Sequence, residues 1–380
     1  MVTVGIVDDS AFMRNILTEI LEQRGHDVVG EASDGESAVE LVESTDVEVI
    51  TMDISMPGQG GHWAVDKIME RHPVPIVVLS AHVHEDADEA LELMERGVVD
   101  IIRKPGGKER SVSLWDRADE VVERIAGASQ SSSRASSSMS TSAGSARGSN
   151  AETGTSTRSS ASTASDRSSI GSSTRASSSS TTAVDSTRTT TLLIGSSTGG
   201  PETVETLLAN LPTGLDLRVI VVQHMTDALT GSFADRLDAA TEFEFREAGA
   251  DETITAGEAV LAKGGYHLEV TGYRRGRIDI DLSKAPKINN VRPAVDAMMR
   301  TAADVIDDHV IGVILTGMGQ DGAVGIQSVA DAGGRTIAQD EETSRIFGMP
   351  KAAIETGSIE QVLAIEDIPE AIVDLCTDEN

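Results

Sequence analysis

Two stretches of this 380-residue chain alternate short apolar runs with longer segments whose apolar positions recur every three to four residues. In the first stretch, "TVGIV" at 3–7 predicts a strand. Met13, Ile16, Leu17, Ile20 and Leu21 then follow the i, i+3, i+4, i+7, i+8 spacing of an amphipathic helix. Further strands are predicted at 47–52, 75–80 and 98–105, with helical patterns between them. In the second stretch, strands are predicted at 191–194, 218–222, 259–262, 266–270, 277–282, 310–315 and 335–338. Helices are predicted at 201–210, 229–239, 293–305, 322–332 and 349–356. Strand–helix alternation of this kind implies parallel sheets with helices on both faces. The expected fold is therefore α/β, with two doubly wound domains and a β-hairpin excursion at 258–282 around the turn "YRRGR".

Between the two stretches the pattern disappears. Of the 63 residues at 128–190, 36 are Ser or Thr, and large apolar side chains are almost absent. Such a segment buries too little surface to offset its ordering entropy, so a disordered linker is expected there. The expected division is a first domain at 1–127, the linker at 128–190 and a second domain at 191–380. The linker carries six arginines and three acids, which leaves the flanking regions to share −34 of the net charge of −31.

That charge, from 31 basic and 62 acidic residues, repels nucleic acid and anionic membrane surfaces. Only 7 of the bases are lysine, and an acidic, lysine-poor surface suggests a protein adapted to high salt, where self-repulsion is screened. The opening "MVTVGIVDDS" lacks the basic-then-apolar pattern of a signal peptide, and the longest apolar runs, such as "VIGVIL", are too short to span a bilayer. One cysteine, Cys376, excludes an internal disulfide and fits a cytoplasmic location.

Polar residues at strand ends suggest chemistry in both halves. In the first, Asp8, Asp9, Asp53, Ser80 and Lys104 all fall at the C-terminal ends of predicted parallel strands, the edge where such folds bind ligands. Three carboxylates there repel one another unless a cation sits among them, and oxygen donors suit Mg²⁺. With Lys104 to hold an anion and Ser80 to donate, the site fits formation of an acyl phosphate on one aspartate. Solvated loop carboxylates are the plain alternative, which five such residues at one edge disfavour.

In the second half, "GSSTGG" lies between a strand and a helix opened by Pro201, where unpaired N–H groups favour negative charge. A bound phosphate and an oxyanion both fit; there is no Walker lysine and no dinucleotide fingerprint. His224 follows the strand in "RVIVVQHM", and Asp321 follows another in "IGVILTGMGQDGA". A serine, a histidine and an aspartate at neighbouring strand ends form a candidate triad, recognised by role and not by chain order. A loop histidine and a helix-capping aspartate are the plain alternatives. The other histidines are poorer partners: five lie in the first domain, His267 in the hairpin, and His309 ahead of its strand.

"VDDSAFMR", "MDISMPGQGG", "LSA" and "RKP" resemble a response-regulator receiver domain of flavodoxin-like fold. That resemblance implies Asp53 as phosphoacceptor, Asp8 and Asp9 as Mg²⁺ ligands with it, Ser80 as switch hydroxyl and Lys104 as phosphate contact. Ile101 stands where receivers often have an aromatic switch residue.

"IGSSTGGPE", "VVQHM", "KGGYHLEV", "VRPAVD", "LTGMGQDGA" and "RIFGMPKAA" resemble the effector domain of the chemotaxis methylesterase family, CheB, a Rossmann-like fold. Relatives carry alanine at the position of Ser196, which implies Ser197 as nucleophile, His224 as general base and Asp321 as its orienter. Backbone N–H groups near Thr198 and Met318 are the expected oxyanion donors. The resemblance implies a phosphorylation-activated hydrolase that removes methyl groups from glutamates of chemoreceptors, deamidates specific receptor glutamines, and needs Mg²⁺ only in its receiver. It implies the histidine kinase CheA as phosphodonor, with the unphosphorylated receiver covering the active site. The rival class is a response regulator whose second domain only binds a partner. DNA output is disfavoured by the charge and by the lack of a basic recognition helix.

Overall fold

The computed structural model describes residues 1–80, 87–104, 114–129, 189–212 and 214–377. Most of the predicted linker, 130–188, lies outside the described residues, as do Ala81 and Pro105 of the receiver motifs.

The first domain runs β1 (Thr3–Val7), α1 (Ala11–Gln23), β2 (Asp27–Ala32), α2 (Gly35–Ser44), β3 (Val49–Met52), α3 (Gly60–Arg71), β4 (Ile76–Ser80), α4 (Ala87–Glu95), β5 (Val98–Arg103) and α5 (Ala118–Ser129). Ser10 caps α1 by accepting the Met13 N–H, and Asp34 caps α2 by accepting that of Ser37. The five strands are parallel in the order β2-β1-β3-β4-β5. Alternation along each strand splits the core. Val7, Ile50, Met52, Ile76 and Val78 pack with α2, α3 and α4. Val4, Ile6, Val49, Val77 and Leu79 pack with α1 and α5 on the other face. Burying one such side chain is worth about 1.5–3 kcal/mol, so both faces need covering.

The second domain continues β6 (Thr190–Ser196), α6 (Gly200–Ala209), β7 (Leu217–Gln223), α7 (Asp227–Ala240), β8 (Glu244–Glu247), β9 (Glu252–Ile254), β10 (Glu258–Leu261), β11 (His267–Arg274), β12 (Arg277–Ser283), α8 (Val295–Val305), β13 (His309–Ile314), α9 (Ala323–Asp331), β14 (Arg335–Gln339), α10 (Met349–Glu355), β15 (Gln361–Leu363) and α11 (Ile368–Thr377). Seven strands form a parallel sheet in the order β15-β14-β13-β6-β7-β10-β8. Leu192, Ile194, Val219 and Val221 face α6, α7 and α11. Leu193, Ile220 and Val222 face α8, α9, α10 and the antiparallel sheet β11-β12-β9.

Several expectations need correction. The excursion does not begin at 258: β10 is a buried strand of the main sheet between β7 and β8, and the antiparallel layer instead recruits β9. α5 reaches Ser129 and β6 starts at Thr190, so both ends of the predicted 128–190 linker belong to the domains. His309 opens its strand and does not precede it. The strands β2, β8, β9 and β15 and the helix α11 carry no sequence prediction. β2, β8 and β15 are edge strands with few buried positions, so they lack a long apolar run.

The domains pack directly together. Leu91 of α4 joins the core cluster of α6 and α7, and Leu229 of α7 joins that of the receiver sheet. Ile346 and Met318 pack against the cluster built on α5. A Cβ on Gly127 of α5 would fall 2.2 Å from Met318 Sδ, so the helix packs closely against the Met318 side chain of this loop.

Candidate active site

β7, β6 and β13 are adjacent in the sheet, and their C-terminal ends deliver His224, Ser197 and the loop carrying Asp321 to one place. The Ser197 N–H donates to Thr316 O at 3.1 Å, and the His224 N–H donates to Ser196 O at 3.0 Å. Gln223 Nε2 donates to both Ser197 O, at 2.7 Å, and His224 O, at 3.3 Å, which ties the serine turn to the histidine loop. A Cβ on Gly317 would stand 2.8 Å from Ser197 Cβ, so the β13 loop must be bare at that point. Gly199, at φ +77°, turns the chain into α6, whose first turn holds Pro201.

The two serines have different surroundings. Ser196 is fully buried, and its Oγ donates to Thr316 O at 3.1 Å. Ser197 lines a cavity of about 590 Å³ together with His224 and Asp321. The receiver supplies the opposite wall through Asp100, Ile101 and α5.

His224 Nε2 lies 2.8 Å from Asp321 Oδ2. Asp321 is 2% exposed, and its carboxylate also accepts the N–H groups of Val295 at 2.6 Å and Asp296 at 3.3 Å and the Asn289 amide at 3.1 Å. Burial alone would raise this carboxyl, but the hydrogen bond and charge of His224, with the Val295 and Asn289 donors, hold it below the ordinary value. Asp296 beside it moves the other way. Burial, and then repulsion from Asp321, raise its carboxyl against the N–H groups of Gly325 and Gly322 and the Asn289 amide. One Asn289 Nδ2 thus bridges both acids. Among the described residues the Thr198 and Met318 N–H groups donate to no protein acceptor.

Asn289, Asp296, Gln223 and Thr316 carry no sequence prediction as site residues. Gln223 and Asp296 had a legible signal, a polar residue inside an otherwise buried apolar run. Nothing in "KINNV" singles out Asn289.

At the receiver's strand ends, carboxylate oxygens of Asp8, Asp9 and Asp53 lie within 4.8 Å of one another. Lys104 Nζ stands 2.7 Å from Asp8 and 2.6 Å from Asp53. Burial raises the Asp8 carboxyl, which Lys104 and the Ser10 N–H oppose. An all-oxygen donor set with an adjacent ammonium fits Mg²⁺ and a phosphoryl group. Ser80 O accepts the Lys104 N–H at 2.9 Å, which places the two predicted residues on adjoining strand ends. Ile101 belongs to the buried receiver core and also forms part of the cavity wall.

A family model described as the response regulator receiver domain matches residues 4–114, and one described as CheB methylesterase matches 192–372. A protein-glutamate methylesterase/protein-glutamine glutaminase of Natronomonas pharaonis is 45% identical, over 97% of this chain and 96% of its own. One of the same name from Haloarcula marismortui is 43% identical over 98% and 97%. The solved CheB methylesterase catalytic domain of Thermotoga maritima is 42% identical, covering 49% of this chain and 98% of its own, with a TM-score of 0.47. Identity sustained across both domains shows that the chain belongs to the CheB family, the response-regulator enzymes named protein-glutamate methylesterase/protein-glutamine glutaminase.

Proposed function

We propose that Ser197, His224 and Asp321 are the catalytic triad of an esterase acting on methylated glutamates of chemoreceptors, and on specific receptor glutamines. The observation that carries this reading is the 2.8 Å His224–Asp321 contact at the strand ends beside Ser197. Because Nε2 faces the aspartate, Nδ1 is the nitrogen that takes the serine proton. Ser197 Oγ attacks the ester carbonyl, and the N–H groups of Thr198 and Met318 receive the oxyanion. His224 returns the proton to the leaving methoxide, releasing methanol. Water then attacks the acyl-enzyme with His224 again as base, freeing glutamate and regenerating the serine. A glutamine follows the same path with ammonia as leaving group.

The receiver regulates this site. Asp53 accepts a phosphoryl group from the histidine kinase CheA, with Asp8, Asp9 and Asp53 holding Mg²⁺, which neutralises phosphate charge when bound. Lys104 contacts the phosphoryl oxygens, and Ser80 is the switch hydroxyl. The packing of α5 over Met318 supports a receiver that covers the site until phosphorylation moves it. The segment between α5 and β6, 130–189, joins the two parts in this reading.

Incubation with methyl-esterified receptor membranes tests the reading. Methanol release is expected, rising when CheA phosphate is supplied. No methanol in either condition would refute the esterase reading.

A further inference from the structure

Acids outnumber bases two to one, 62 to 31, and many bases of the catalytic domain are tied to an acid. Arg236 pairs with Glu205, Arg246 with Glu252 and Glu258, Lys263 with Asp227 and Glu247, and Arg345 with Glu202. The loop between β12 and α8 departs from this rule. From Asp281 to Asp296 the sequence has no other acid, yet it holds Lys284, Lys287 and Arg292. Among the described residues none of the three makes an ion pair. Lys284 lies over the Tyr266 ring, 4.7 Å from its centre. Arg292 Nη1 donates to the carbonyls of Lys284 at 3.0 Å and Ala285 at 2.8 Å, folding the loop on itself, and its Nε is buried without a partner. The same loop presents Asn289 to Asp321, so its position is fixed to the triad carboxylate. Lys287 and Arg292 line the cavity above Ser197.

We propose that this loop is a carboxylate-binding lip, which selects substrate segments whose helix carries acidic side chains beside the glutamyl ester or amide. The proposal rests on the esterase reading above and adds to it the class of segment recognised. Charge complementarity is already displayed within the chain. The acidic side chains Asp119, Glu120 and Glu123 of α5 line the same cavity opposite the lip. Glu120 is raised by burial, but Arg117, Arg124 and Lys287 bring it below its ordinary value. An acidic helix therefore faces the lip across the cavity in this structure without ion-pairing to it among the described residues, and an acidic substrate helix is the occupant that completes those pairs. Each hydrolysed ester leaves a carboxylate, so a partly demethylated helix binds the lip better than a fully methylated one. In 1 M salt the Debye length is about 3 Å, so only carboxylates in contact with the lip are sensed.

The test uses the full-length protein with acetyl phosphate and Mg²⁺, and its Lys284→Glu/Lys287→Glu variant. Two labelled helical peptides are compared by fluorescence anisotropy, each with a central glutamine flanked one turn away by glutamates or by glutamines. The expected result is at least tenfold tighter binding of the glutamate-flanked peptide by the wild type. The charge-reversed variant should lose that preference while binding the glutamine-flanked peptide within twofold of wild type. Equal binding of the two peptides by the wild type, or none of either, overturns the proposal. So does a preference that survives the charge reversal. Methanol release from methyl-ester versions of both peptides separates the two readings. Selective binding without methanol leaves the lip standing and removes the esterase, whereas equal methanol release and equal binding remove only the lip.

Discussion

His224 Nε2 and Asp321 Oδ2 stand 2.8 Å apart although 96 residues separate them in the chain; the same Oδ2 accepts the Val295 N–H, and Oδ1 accepts the Asp296 N–H and the Asn289 amide. Asp321→Asn keeps an acceptor at only one of the two oxygen positions, turns an NH2 toward the donors at the other, and removes the charge that would stabilise an imidazolium at His224. We expect kcat to fall by about 10³–10⁴ with little change in KM. The same carboxyl has a folded pKa below its unfolded value of about 3.9. Its stabilisation is therefore present at neutral pH and is lost as pH falls through the folded value. The Tm deficit of Asp321→Asn should be largest above about pH 4 and close below it. A calorimetric deficit that stays constant from pH 7 to pH 3 would count against this account.

The two serines separate cleanly by substitution. Ser197→Ala should reduce methanol release by at least about 10⁴-fold. Ser196→Ala loses only a buried hydrogen bond to Thr316 O, worth about 1 kcal/mol of stability, and the Ser197 N–H still holds that carbonyl. Its activity should stay within a few fold of wild type. An inactive Ser196→Ala with an active Ser197→Ala would move the nucleophile by one residue.

Contact between Gly127 and Met318 predicts a release mutation. A side chain on Gly127 meets the Met318 thioether, so Gly127→Val crowds α5 against the cleft loop and weakens its seat there. Basal methanol release should rise toward the phosphorylated level, and phosphorylation should add little more. Unchanged basal activity in a folded Gly127→Val protein would show that α5 does not mask the site.

Asp53 is 6% exposed and bonded to Lys104, next to two further carboxylates. Asp53→Asn should abolish phosphoryl incorporation from CheA and leave only basal methanol release. A variant that still takes label from phosphorylated CheA would place the acceptor elsewhere.

Salt dependence follows from the net charge of −31. The Debye length grows from about 3 Å at 1 M to about 10 Å at 0.1 M, so self-repulsion reaches across the surface as salt is removed. Tm should fall steadily over that range. A flat profile would mean that the acidic surface is not an adaptation to salt.

The periodicity of apolar residues was enough to mark the central strands and most helices of both sheets, because a strand covered on both faces must be apolar along its length. The same constraint places Ser197, His224, Asp53 and Lys104 just past or at strand ends, where buried runs give way to polar residues, so these positions were legible as candidates. Choosing between Ser196 and Ser197 needed the family motif, since both follow the same strand. The edge strands β2, β8 and β15 escaped because half-exposed positions carry no continuous signal. Tertiary structure alone decided which strands are neighbours, and hence that three loops from β6, β7 and β13 meet. It alone brought Asn289 between Asp296 and Asp321, set Gln223 across the serine and histidine loops, and laid acidic α5 opposite Lys287. Those pairings depend on strand order and domain packing, which join residues far apart in the chain. A local pattern reports only whether a residue is buried and on which face of its own element it lies.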